Sequence, residues 1–125
     1  MAIKVVDASA LGAFLFGEPE GGAIAERLTE AALVAPALMP FEVANVCLLK
    51  TRRHPEDRES LFEAFGLLAR MAIDIVEADH ADALRLAHRT GLTAYDASYL
   101  WLARKLGAEL VTLDKRLEAA ATEIR

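Results

Sequence analysis

The chain has 125 residues, 54% of them hydrophobic and 26% charged, which excludes a disordered or fibrous protein and suits one globular domain over residues 1–125. Its formal net charge of −5 excludes binding to nucleic acid through general basicity, and no stretch is long and uncharged enough to span a membrane. The single cysteine, Cys47, excludes an internal disulfide and points to a reducing, cytoplasmic compartment.

Ile3 to Val6 is a β-branched run that predicts a central strand, ending at once on Asp7. One lysine and a run broken by Asp7 do not read as a signal peptide. Ser9 to Phe16 predicts a short helix, stopped by Gly17-Glu18-Pro19. Glu20 to Ala32 predicts a second helix and Leu33 to Ala35 a second strand. Pro40 opens a third helix, with Glu42 in its first turn, that runs to Arg53 and stops before Pro55. Glu56 to Met71 predicts a long amphipathic helix, paired with the preceding one as a hairpin. Ile73 to Val76 is a third strand. Asp79 starts a helix that lasts to Gly91, and Thr93 starts another that lasts to Leu106. Leu110 to Leu113 is a fourth strand ending on Asp114, followed by a short helix from Lys115 to Ala121. Thr122 to Arg125 is expected to fray or to add a short edge strand. Strands alternating with helices predict an α/β fold, a central parallel sheet covered on both faces.

Four acids stand at strand-to-helix junctions or helix starts: Asp7, Glu42, Asp96 and Asp114. Taken singly, each has an ordinary explanation. Asp7 and Asp114 suit N-caps, Glu42 suits the dipole of a first turn, and Thr93 with Asp96 makes a capping-box-like pair. Together they mean more, because a parallel sheet brings its strand-to-helix junctions to one edge, where ligands bind. Four carboxylates crowded there without a cation would be costly. Oxygen ligands without His or Cys suit Mg²⁺ or Mn²⁺. A cation in an acidic pocket also gives an acidic protein a positive face for phosphates. Asn45, one helical turn after Glu42, is placed to orient that acid, Ser9 to bond a carboxylate, and Thr112 to face the same side of its strand as Asp114.

The blocks Val6-Asp7-Ala8-Ser9, Glu42-Val-Ala-Asn45, Thr93-Ala-Tyr-Asp96-Ala-Ser-Tyr99 and Leu110-Val-Thr-Leu-Asp114 resemble the PIN domain, and within it the VapC toxin branch of type II toxin–antitoxin systems. The resemblance covers nearly the whole chain, with the blocks in order. It implies a three-layer α/β/α sandwich and a Mg²⁺-dependent endoribonuclease. It implies Asp7, Glu42, Asp96 and Asp114 as the metal-site and catalytic acids, with Ser9, Asn45 and Thr112 in support. It further implies a homodimer neutralised by a cognate VapB-like antitoxin, with RNA as substrate. The chemistry would be hydrolysis of a phosphodiester, with water activated by one or two ions.

Other signals are weaker. His54, His80 and His88 lack metal-ligand spacing. Gly17 to Gly22 lacks the Gly-Lys-Ser/Thr of a P-loop and reads as a turn. Lys50 to His54 with Arg58 would either line an RNA path or end a helix in solvent. Tyr95, Tyr99 and Trp101 would stack bases or fill the core. The apolar faces of the helices at 40–53 and 56–71 would serve a dimer, an antitoxin or the core. Two other function classes fit a chain of this kind. A phosphoacceptor receiver domain would need paired acids at strand one and an acceptor Asp after a middle strand. Here strand one carries one acid, and Ile75-Val76-Glu77 offers no acceptor. A nonenzymatic binding module would use all four acids as caps only.

Overall fold

The computed structural model describes residues 1–123. Its elements are β1 (Ala2–Val6), α1 (Ala8–Leu15), α2 (Gly21–Leu28), β2 (Ala31–Pro36), α3 (Met39–Arg53), α4 (Arg58–Gly66), β3 (Ile73–Val76), α5 (His80–Thr90), α6 (Ala94–Leu106), β4 (Glu109–Val111) and α7 (Lys115–Glu123). Short 3₁₀ turns, Pro55–Asp57 and Leu67–Arg70, flank α4. The four strands form one sheet in the order β3-β2-β1-β4, every neighbouring pair parallel. This bears out the α/β reading and the central place of the first strand.

The layers follow from the connections. Crossovers between parallel strands are right-handed. The steps β1 to β2 and β2 to β3 move one way across the sheet, and the step β3 to β4 moves back past β1. The helices of the first two crossovers therefore share a face, and those of the third take the other. The packing agrees: α1 lies against α2 and α3, and α3 against α4, while α6 lies against β1, β2, α5 and α7. Val5, Val6, Leu11, Met39, Val43, Leu100, Val111 and Leu117 are almost wholly buried between the layers. The chain reverses its winding between β1 and β4, and in open parallel sheets ligands bind at that switch, outside the carboxyl ends of the strands. Asp7 leaves β1 there, and its amide bonds Val111 O of β4 at 3.1 Å.

Several boundaries differ from the sequence expectation. The second helix stops at Leu28, and Glu30 turns the chain with φ 58. Pairing explains this, because Ala31 and Ala32 are drawn into register beside Ala2 and Ile3. The long helix expected over 56–71 is broken. Its helical part, α4, packs on α3 without fully burying any residue, and the segment tightens into 3₁₀ turns at both ends. The fourth strand ends at Val111, opposite Val6, because β4 has one neighbour and that neighbour ends there. Thr122 and Glu123 belong to α7; Ile124 and Arg125, where the frayed end or edge strand was expected, lie outside the described residues. Gly21 is required where it stands: a Cβ there would meet Ala13 O at 2.6 Å, so only glycine lets α2 start against α1. No helix among the described residues is long and apolar enough to cross a membrane.

Candidate active site

The β1–α1 junction builds the first wall. Asp7 is 4% exposed and caps α1, its Oδ1 accepting from Ala10 N at 3.0 Å and from Ser9 Oγ at 2.7 Å. Its Oδ2 accepts from Thr112 Oγ1 at 2.5 Å. The Thr112 hydroxyl accepts in turn from Asp114 N at 2.9 Å, and Ser9 Oγ from Leu113 N at 2.9 Å. Ser9 and Thr112 thus fasten β1 and the segment after β4 to one carboxylate. Asp114 caps α7 through Leu117 N at 2.9 Å.

Glu42 and Asp96 arrive from the starts of α3 and α6. Glu42 is half-buried, its Oε1 accepting from Tyr99 Oη at 2.6 Å. Asp96 is half-buried, its amide capped by Thr93 Oγ1 at 3.0 Å. Arg116 lies near Asp96 and donates to Gly91 O at 2.8 Å, tying the α5–α6 turn to α7.

The electrostatics join the four acids. Burial pushes the Asp7 carboxyl up more than its three donors draw it down, and Asp114 adds repulsion. Burial likewise pushes up Glu42, against the Tyr99 bond, with Asp96 and Asp7 repelling it. Asp96 is pushed up by burial and then by Asp114, with Thr93 and Arg116 opposing. The repulsions close a ring: Asp7 with Asp114, Asp114 with Asp96, Asp96 with Glu42, Glu42 with Asp7. Among the described residues none of the four makes an ion pair. The opposite edge of the sheet is different. There Lys4 and Arg27 pair with Glu109 at 3.3 and 2.9 Å and hold its carboxyl below the usual range, the Arg27 bond most of all.

These features fit a divalent cation. The donors are all oxygens, the set preferred by Mg²⁺ and Mn²⁺, and three of the acids are pushed toward protonation at a site short of positive charge. No three of the acids bring oxygens within 4.8 Å of one another. The trio that does, among the described residues, is His54, Glu56 and Asp57. It is exposed, lies in the turn that ends α3, and reflects three neighbouring side chains, with His54 Nδ1 3.8 Å from Glu56 Oε2.

The other sequence signals fall into place. Asn45 is exposed and makes no hydrogen bond to the acids among the described residues. Lys50 pairs with Glu18, and Lys50 to Arg53 lie about 12–17 Å along α3 from Glu42 at 1.5 Å per residue. Tyr95 is exposed, and Trp101 is half-buried under Lys105, whose Nζ is 5.6 Å from the ring centre. Sequence reasoning missed two contributors. Tyr99 reaches Glu42, and its place three residues after Asp96, on the same side of α6, was the available signal. Arg116 follows Asp114 by two residues, and nothing in the pattern distinguished it from a surface charge.

Comparison with known proteins identifies the family and the fold. Residues 4–123 match the PIN domain family. The chain is 36% identical over 119 residues to ribonuclease VapC3 of Pyrobaculum aerophilum, covering 90% of each. Its fold superposes on the crystal structure of PAE2754 from the same organism with a TM-score of 0.78, at 27% identity over 95% of this chain and 84% of the other. It also superposes on Mycobacterium tuberculosis VapC20, a sarcin-ricin loop cleaving toxin, with a TM-score of 0.67, at 16% identity over 94% of each.

Proposed function

The chain belongs to the PIN domain family, and from that premise we propose that it is a Mg²⁺- or Mn²⁺-dependent endoribonuclease, the toxin of a toxin–antitoxin pair. The observation that carries this reading is the placement of four acids at the switch point of the sheet, Asp7 and Asp114 joined through Thr112 and Glu42 tied to the Asp96 helix through Tyr99. The similarity to a protein named as a ribonuclease supports RNA as the substrate class. In this reading all four acids are catalytic and together hold the cation, Asp7 and Asp96 directly. Bound there, the cation supplies water activation and charge neutralisation at the scissile phosphate.

The protein's own contribution is orientation. Ser9, the Ala10 amide and Thr112 occupy both oxygens of Asp7, so its carboxylate cannot rotate. The α7 cap holds Asp114, and Thr112 ties its amide to the same group. Asn45, exposed on α3 beyond Glu42, is available to RNA. Arg116 is the cation beside Asp96 among the described residues. No histidine bonds the acids among the described residues, so no side-chain general base is assigned. Membership in the PIN family leaves the receiver-domain alternative without support.

A homodimer and a VapB-like antitoxin complete the proposal. Phe41 is 82% exposed and Phe62 55%, and Leu48, Leu49 and Leu67 are exposed on the same α3–α4 arm. Such apolar area in solvent suits a protein interface. The test is expression in a host cell. Growth arrest that Asp96→Asn abolishes, that a small co-encoded protein relieves, and that is matched by EDTA-sensitive RNA cleavage in vitro, is the expected result. Cleavage that persists in EDTA overturns the metal-dependent reading.

A further inference from the structure

Tyr99 is 1% exposed, yet its hydroxyl ends inside the acid ring. It donates to Glu42 Oε1 at 2.6 Å across 57 positions of the chain. The Ala8 amide, which the Asp7 cap leaves free, faces the same phenol oxygen. One hydroxyl on α6 therefore holds Glu42 of α3 and lies beside the β1–α1 junction. We infer that Tyr99 is a positioning residue for the acid ring: it fixes Glu42 relative to Asp7, commits Oε1, and leaves Oε2 for a cation. The inference rests on the cation-dependent reading above.

The plain alternative is a core tyrosine whose hydroxyl needs any partner. A backbone carbonyl or a water would meet that need. Here the partner is a half-buried carboxylate that both Asp96 and Asp7 repel. A glutamate has three side-chain rotors and, without a restraint, relieves that repulsion by swinging outward. The phenol is rigid, held on all sides by core contacts, and its hydrogen bond opposes the swing. Phenylalanine would fill the same space without this restraint. Outer partners of this kind orient metal-binding carboxylates generally.

The test uses the full chain as wild type, Tyr99→Phe, Glu42→Gln and the double variant. Mn²⁺ binding is measured by calorimetry without RNA, melting in EDTA, and RNA cleavage by kcat and KM. Tyr99→Phe is expected to melt within a few degrees of wild type but to bind Mn²⁺ about 10–100-fold more weakly. Its kcat falls while KM for RNA holds. In the Glu42→Gln background the same change is expected to cost nothing further. Wild-type affinity in Tyr99→Phe overturns the inference, as does an equal loss in the Glu42→Gln background. A wild-type protein that binds no divalent cation overturns the proposed function, and this inference with it. If Tyr99→Phe does not fold, Glu42→Asp, one methylene short of the hydroxyl, carries the same expectation, and wild-type Mn²⁺ affinity there overturns it.

Discussion

Asp7→Asn should raise the stability of the cation-free protein while removing its response to cations. Asp7 is almost fully buried, and its carboxyl sits above its reference value of 3.8 because burial outweighs the three donors that favour the charge. The folded protein thus holds this proton more tightly than the unfolded chain. The associated stability is complete below the reference value and is lost as pH rises through the higher folded value. At neutral pH the ionised group is a net cost, about 1.4 kcal/mol for each pK unit of elevation. Asparagine has the same shape, keeps one oxygen for Ser9 and Ala10, and removes the charge. In EDTA at neutral pH the variant should melt at or above wild type, each kcal/mol being worth about 3–6 °C in a chain of this size. With cation at a hundred times its Kd, wild type should gain about 2.7 kcal/mol, and the variant little. The order of melting temperatures therefore inverts between EDTA and Mn²⁺. Scanning calorimetry of both proteins, with and without Mn²⁺, reads this directly. A variant that melts far below wild type in EDTA refutes the primacy of burial, because the hydrogen bonds to the charge would then dominate. Absence of the inversion would show that Asp7 does not face a cation.

Without cation, the wild-type protein should be more stable at mildly acidic than at neutral pH, since Asp7, Glu42 and Asp96 are all pushed up by burial. Urea midpoints across that range, rising on acidification, check this. Thr112→Val leaves Asp7 Oδ2 and the Asp114 amide without their shared partner and should cost about 1–3 kcal/mol, read from the urea midpoint, with RNA cleavage reduced as well. Leu11→Ala empties a fully buried position on the inner face of α1 and should cost about 2–5 kcal/mol by chemical denaturation. Glu109→Gln breaks ion pairs at the far edge of the sheet, and cleavage assays should find its rate unchanged.

The strand-and-acid rhythm made much of this architecture legible. Val5-Val6-Asp7 and Leu110 to Asp114 announced two junctions, and parallel topology forces their ends to one edge. Pro40 with Glu42, and Thr93 with Asp96, marked helix starts; Pro40 stands in the first turn of α3 and the Thr93 cap of α6 is in place. Periodicity was silent where a residue does two things at once. Tyr99 lies at a core spacing and is buried; its place three residues after Asp96 sets the side of α6 it occupies, but not which carboxylate its hydroxyl meets. Thr112 reads as a strand former, yet its hydrogen bonds to Asp7 and Asp114 lie beyond the last paired residue of β4. The segment 58–70 has an apolar face, and nothing in its pattern says whether a neighbour exists to cover it.

The Thr112–Asp7 bond spans 105 positions and bears on the order of events during synthesis. The chain emerges amino end first and folds from that end. Asp7 and Glu42 are made early, but the hydroxyl that orients Asp7 and the acid that completes the ring come only once residues 112 and 114 are made. β1 is also left without its β4 neighbour until then. A truncated or still-growing chain therefore carries acids without the pocket. On the proposed reading, cleavage waits until β4 has paired with β1 and the acid it brings has reached the pocket.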